Sequence, residues 1–205
     1  MARPRSDISP RIVQAARERF LLDGVDGASL RNIARDAGTS IGMIYYYFPT
    51  KTDLFLAVVE ESYVGLLRDM EAILPNEKIE DAVKLMYRRI AAMSDVEFAV
   101  IRMIVREALI SSERLDRIFE RFARGHLPLV FQTLIRGMQG GELSTEHGVM
   151  PPMLAMVSLG ILPQIVRRLA HERIITFAGD GAPTAESLAD SLSSILMTGI
   201  GRRSA

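Results

Sequence analysis

The stretch Ser29–Lys51, SLRNIARDAGTSIGMIYYYFPTK, decides how this chain is read. Ser29 is a helix-capping residue, and Leu30, Ile33, Ala34 and Ala37 follow it at helical spacing. Gly38 breaks that helix, and Thr39 or Ser40 caps a second one that ends near Tyr47. Phe48-Pro49-Thr50 is a connector, and Thr50 with Asp53 has the pattern of a cap followed by an acid three residues on.

Two helices of about eight residues around a glycine match a helix-turn-helix, whose second helix enters the major groove of DNA. Within that second helix Ile41, Ile44, Tyr45 and Phe48 stand at i, i+3, i+4 and i+7. Ile44, Tyr45 and Phe48 share a face suited to closing a small core on Ile33 and Ala34. Ile41 is open between two roles, one more core residue or a reader of a thymine methyl. Tyr46 and Tyr47 point elsewhere. Their hydroxyls, and Lys51 at a helix start, suit phosphate oxygens.

Upstream, Ser9-Pro10 predicts a helix start, with Ile12, Val13, Ala16, Phe20 and Leu21 as its apolar stripe and Gly24 and Gly27 at its end. Arg3 and Arg5 form a basic arm, either for a minor groove or a tail without fixed structure. Downstream, a long helix runs from Lys51 to Leu74 and stops at Pro75-Asn76. Further helices are expected at 77–93, 95–110, 113–139, 151–172 and 183–199, with breaks at Gly140-Gly141 and Gly179–Pro183. No stretch alternates with period two. The expectation is an all-α chain of about nine helices.

Of 205 residues, 48% are apolar, enough for a sizeable core. The absence of cysteine excludes disulfides, thiolate metal sites and a thiol nucleophile. Formal net charge is zero, but residues 1–51 hold eight Lys/Arg against five Asp/Glu, and the remainder holds 17 against 20. A basic head on a mildly acidic body suits local phosphate contact. MARPRSDISP lacks the apolar run of a signal peptide. Residues 148–166 carry no charge but contain three prolines, and a buried helix is expected there rather than a membrane span.

Residues 9–60 closely resemble the DNA-binding domain of the TetR (tetracycline-repressor-like) family of bacterial transcriptional regulators. The resemblance lies in the amphipathic first helix, ASLRNIARDAG, the serine-led short helix, IYYYF, and the lysine that opens the fourth helix. It implies a three-helix DNA-binding domain at 1–51 and a helical effector-binding and dimerisation domain at 52–205. Ser29 and Arg31 would reach phosphate or, for Arg31, a base edge. Ser40, Ile41, Gly42 and Met43 would lie on the groove side of the third helix. Tyr45 would mostly pack and also touch phosphate, while Tyr46, Tyr47 and Lys51 would grip the DNA backbone. Ile41 stands where a polar or basic residue is usual, and Tyr47 where histidine is usual. Gly42 would let the helix backbone approach the groove closely.

The body is rich in methionine and aromatic residues: Met86, Tyr87, Met93, Phe98, Met103, Phe119, Phe122 and Phe131. Methionine adapts to irregular apolar ligands, although most such residues simply fill a core. By resemblance these helices surround an effector cavity. Arg102, Arg106, Glu107 and His126 interrupt the apolar pattern and are the candidates for orienting a ligand. The alternative is that Glu107 pairs with one of the two arginines at the surface. Pro128 is expected to kink its helix. Met153, Met156, Val157, Gly160, Ile161, Leu188, Leu192 and Ile195 would pair with a second copy as a four-helix interface, the two-fold dimer that paired half-sites demand.

A helical enzyme is the rival class. The three histidines lack the Glu-x-x-His spacing of a di-metal bundle, no P-loop lysine is present, and no G-x-S-x-G elbow occurs. A helical interaction module without DNA binding would leave IYYYFPTK unexplained. The expected protein is thus a cytoplasmic, homodimeric regulator without metal or cofactor. It binds a double-stranded operator, most readily as a repressor released by a small apolar or amphipathic effector.

Overall fold

The computed structural model describes residues 7–110, 112–173 and 183–201. Among the described residues ten helices follow one another: α1 (Ile8–Gly27), α2 (Leu30–Asp36), α3 (Ile41–Tyr47), α4 (Lys51–Ile73), α5 (Ile79–Ala91), α6 (Asp95–Ile110), α7 (Ser112–Ala123), α8 (His126–Gln139), α9 (Met150–Arg173) and α10 (Ala185–Ile200). Among the described residues there is no strand, only an isolated bridge between Leu143 and Gly201. The arm carrying Arg3 and Arg5, and the break expected at residues 179–182, lie outside the described residues.

The tenth helix arises from a division that the sequence pattern hid. The segment 113–139 reads as one amphipathic run, yet it parts at Gly125 into α7 and α8. Pro128 therefore does not kink a helix interior. It falls in the first turn of α8, where its missing N–H costs no hydrogen bond. Likewise α1 begins one residue before Ser9, with Asp7 at the cap position and no side-chain cap. It runs on through Gly24, whose φ of 74° bends the last turn instead of ending the helix.

The chain forms two compact units. One comprises α1 to α3, α4 up to Gly65, α6, and α7 up to Arg121. Its centre is the fully buried set Ile12, Ala16, Phe20, Ile33, Ile44, Leu54, Phe55 and Val58, with the Phe20 and Phe55 rings edge to face at 6.4 Å. Each such aromatic contributes roughly 1.5–3 kcal/mol by leaving water. The other unit holds α4 from Leu66, α5 and the helices from α8 onward. There Leu74, Ala82, Val83, Met86, Tyr87, Val130, Leu134, Met156, Ala189 and Leu196 make one apolar core. Polar ties hold its rim: Arg88 grips Asp190 through two bonds of 2.7 Å, and Arg136 donates to the carbonyls of Leu74 and Pro75 at the end of α4.

Candidate nucleic-acid interface and effector region

Gly38 shapes the site. It follows α2 with φ 62°, a left-handed conformation that glycine adopts without strain, and it lets the chain turn directly into α3. The turn is closed by Gly38 N–H to Arg35 O at 3.0 Å and Thr39 N–H to Ala34 O at 2.9 Å. From α1, Arg11 donates to Ala37 O at 2.9 Å, and Arg19 holds Asp36 at 2.6 Å. That arginine keeps the Asp36 carboxyl below its ordinary range, by hydrogen bond first and by charge second. α2 is thus pinned to α1 at its C-terminal end.

Ser40 caps α3: its Oγ accepts the Met43 amide at 3.3 Å. Ser29 occupies the cap position of α2, but its hydroxyl makes no capping bond. Only Ile44 of α3 is fully buried, closing the core with Ile33 and Ala34. Tyr45, expected mainly to pack with it, is 52% exposed, and Tyr46 is 77% exposed. Phe48, expected on the same inward face, is half-buried at the C-cap of the seven-residue α3. Ile41 and Gly42 are exposed as well, and Met43 is half-buried. Ile41, Gly42, Tyr45 and Tyr46 therefore make one outward face, with Ser40 at its head. A methyl built on Gly42 would meet nothing closer than Ser40 Oγ at 3.8 Å, so this part of the face is open. Tyr47 is half-buried, its ring 5.1 Å from Tyr46 and 6.3 Å from Phe48. Arg31 is exposed on α2.

Beside this face begins α4. Thr50 and Asp53 form the expected reciprocal cap: Asp53 accepts the Thr50 amide at 3.0 Å and its hydroxyl at 2.7 Å, while Thr50 Oγ1 accepts the Asp53 amide at 3.0 Å. Lys51 Nζ donates to the main-chain oxygen of Asp26 at 2.9 Å, which leaves two of its three protons for an outside acceptor.

The candidate effector residues fall into both units. Met86 and Tyr87 are core residues packed with α9 and α10, and the Tyr87 hydroxyl donates to Met156 O at 2.8 Å. Burial raises the pKa of that phenol. Phe122 and His126 bring their rings to 4.7 Å across the break at Gly125. Phe98 and Met103 are buried within α6, and Arg102 is exposed. Arg106 lays its guanidinium over Gly24. Glu107 is buried, and Arg114 of α7 stands 2.6 Å away.

Sequence reasoning missed Arg114 and its neighbours. Arg114, Arg117 and Arg121 recur at i, i+3 and i+7 along α7, and each meets a carboxylate: Asp26 at 2.7 Å, Asp53 at 3.6 Å and Glu60 at 2.5 Å. Arg121 also lies 4.6 Å from the centre of the Tyr63 ring. The basic stripe and the acids of α4 were visible as patterns; what was not visible is that they face one another.

On α9, Met156 and Gly160, expected at a contact with a second copy, are instead buried against α5. A Cβ on Gly160 would meet the Tyr87 ring at 3.0 Å. The outward side consists of Leu154, Ser158, Leu162 and Val166, a ridge at four-residue steps. Met153, Val157, Ile161, Leu188 and Leu192 are half-buried, and Ile195 is 61% exposed. The uncharged stretch of α9 up to Val166 is therefore only partly buried by its own chain. Met150–Arg168 is long and apolar enough to cross a membrane by length and composition alone, yet only 22% of that window is covered.

Comparison with known proteins agrees with this geometry. Residues 12–58 match the profile of bacterial regulatory proteins, tetR family. That segment, which spans α1 to the first turns of α4, is similar to the DNA-binding domain of that family. The chain is 36% identical over 73 residues to the HTH-type transcriptional regulator PksA of Bacillus subtilis, a match spanning 33% of this chain and 36% of PksA. Similarity to the HTH-type transcriptional regulator SrpR of Pseudomonas putida is lower, 27% over 165 residues, but covers 79% of this chain and 73% of SrpR. The crystal structure of the transcriptional regulator FadR from Bacillus subtilis in complex with stearoyl-CoA superposes with a TM-score of 0.73 at 20% identity, over 93% of this chain and 98% of that one, and shows the shared fold. The matched segment and these relatives identify a DNA-binding transcriptional regulator.

Proposed function

We propose that this chain works as a homodimeric, cytoplasmic tetR-family repressor that leaves its operator when a small apolar or amphipathic molecule binds the helical body at 52–205, with residues 1–51 as the DNA-binding domain. The reading rests above all on the outward face of α3, where Ser40, Ile41, Gly42, Tyr45 and Tyr46 stand free of the core. Ile41 and the exposed Gly42 backbone meet base edges, with Met43 at their margin. Ser29, Arg31, Tyr45, Tyr46, Tyr47 and Lys51 hold phosphates, which fixes register without reading sequence. The outward ridge of α9, with Ile195 of α10, pairs with its copy. Two recognition helices then meet successive major grooves about 34–36 Å apart.

An amphipathic effector is supported by the stearoyl-CoA held by the FadR of similar fold, and by the methionine-rich body, which suits a flexible apolar chain. Release follows from linkage: the effector prefers one of two conformations, and DNA affinity falls by the ratio of its affinities for them. Emptying an operator from 99% to 1% needs a ratio near 10⁴.

The test is fluorescence anisotropy of labelled duplex DNA over a salt series, followed by footprinting of the region upstream of the coding sequence with and without extracted metabolites. A groove binder loses affinity with a slope near −0.9 per phosphate contact on logarithmic axes. Affinity indifferent to salt, or identical protection in every metabolite fraction, defeats the proposal.

A further inference from the structure

Lys51 does not stand alone at the start of α4. Its ammonium is held 2.9 Å from the main-chain oxygen of Asp26, at the bent end of α1. The carboxylate of the same residue accepts two bonds from Arg114, 3.0 Å to Nη1 and 2.7 Å to Nη2, a fork-to-fork pair that fixes direction as well as distance. Arg114 is in turn anchored by Glu107, whose side chain is 3% exposed and whose Oε2 lies 2.6 Å from Arg114 Nε. One chain of contacts thus runs from the interior of α6, through α7, to the end of α1 and on to the lysine.

We propose that Asp26 is a positioning residue for DNA binding: clamped by Arg114 on Glu107, it sets where its own carbonyl holds Lys51, and through it the state of α6 and α7 reaches the phosphate contact. The inference rests on the reading of Lys51 as a phosphate ligand. It deepens that reading by naming what aims the lysine.

The sign of the effect separates this role from simple charge. Asp26 is an exposed acid, its side chain 72% accessible, close to a cation that faces an anionic partner. If it acted only by its field, removing it would tighten DNA binding. As a positioning residue, its removal loosens DNA binding. The pair also holds the Asp26 carboxyl below its ordinary range, chiefly by the Arg114 hydrogen bond, so it is ionised at neutral pH.

The experiment is a double-mutant cycle on the full-length chain with Asp26→Asn, Lys51→Ala and both together. Affinity for a random-sequence duplex of about 30 base pairs is read by anisotropy over a salt series. Asp26→Asn leaves the Glu107–Arg114 pair and the main-chain oxygen in place, and circular dichroism melting checks the fold. Lys51→Ala is expected to weaken binding about tenfold and to reduce the salt slope by about one contact. Asp26→Asn is expected to weaken it several-fold in the parent and to have no further effect once Lys51 is alanine. Unchanged or tighter binding by Asp26→Asn, while Lys51→Ala weakens it, overturns the positioning role. Equal losses in both backgrounds overturn it too, because they mark a merely structural acid. If Lys51→Ala has no effect, the phosphate reading of Lys51 fails first and the inference falls with it.

Discussion

Two helices of this chain, α3 and α9, turn apolar side chains to water, and they do so differently. α3 is seven residues long and shows Ile41, Tyr45 and Tyr46, with a glycine between them and a capping serine at one end. α9 is 24 residues long and shows Leu154, Leu162 and Val166, which with Ser158 recur at four-residue steps. Aromatic rings with hydroxyls suit a surface that is apolar in the groove and anionic at its edges. An i, i+4 ridge of leucine and valine suits the groove of another helix. Equal exposure therefore does not mean equal partners, and the chemistry of the exposed atoms separates a polyanion from a second copy.

The largest expected effect tests the α9 half of this comparison. Leu162→Asp would place a carboxylate, and its copy, on the proposed pairing ridge, and an unpaired charge in a desolvated contact costs several kcal/mol. Light scattering should report a monomer, and DNA affinity should fall by more than about a hundredfold as the linkage of two half-sites is lost. A dimer that survives this change would move the pairing surface elsewhere. Next comes Tyr46→Ala. Loss of one charged-group hydrogen bond is worth about 1.5–3 kcal/mol, so binding to every duplex should weaken about tenfold or more, without a change in site preference. A shift in preferred sequence would make Tyr46 a base reader instead.

Gly42→Ala sharpens the α3 half. Within the chain the added methyl has room, and alanine favours helix over glycine by about 0.5–1 kcal/mol. The melting temperature should stay or rise while operator affinity falls several-fold, because the methyl intrudes where backbone meets groove. Unchanged affinity would place the groove contact away from Gly42. The smallest effect separates the two sides of α9. Gly160→Ala crowds the Tyr87 ring, and overpacking costs about 1–3 kcal/mol, a few degrees in melting temperature for a chain of this size. Dimer mass and DNA affinity at low temperature should not change.

The helix-turn-helix was legible because its signals are local. Gly38, Ser40 and the Thr50–Asp53 cap each declare themselves within four residues, and each does in the structure what the pattern predicts. Tyr45 shows where such reasoning stops. Its spacing from Ile41 and Ile44 fits a buried stripe, yet of the three only Ile44 is buried. The break at Gly125 was hidden because α7 and α8 continue one amphipathic pattern through it. Glu107 found Arg114 seven residues on, across a helix junction, in preference to the arginine beside it in sequence. Gly160 resembled a small residue for close approach between copies; it serves close approach to Tyr87 instead. Periodicity marks a face as apolar without saying which apolar face it meets.

The bend in α1 sets a limit on what this gene can tolerate. Gly24 combines φ 74° with ψ 168°, a combination that side chains with a Cβ scarcely visit, and any substituent there would run into the Arg106 guanidinium at 2.6 Å. The arginine, being long, could step aside; the backbone could not. A saturation library at codon 24 should accordingly come back almost pure glycine under selection for DNA binding, whereas the neighbouring codon 23, whose residue is exposed, should accept a broad alphabet.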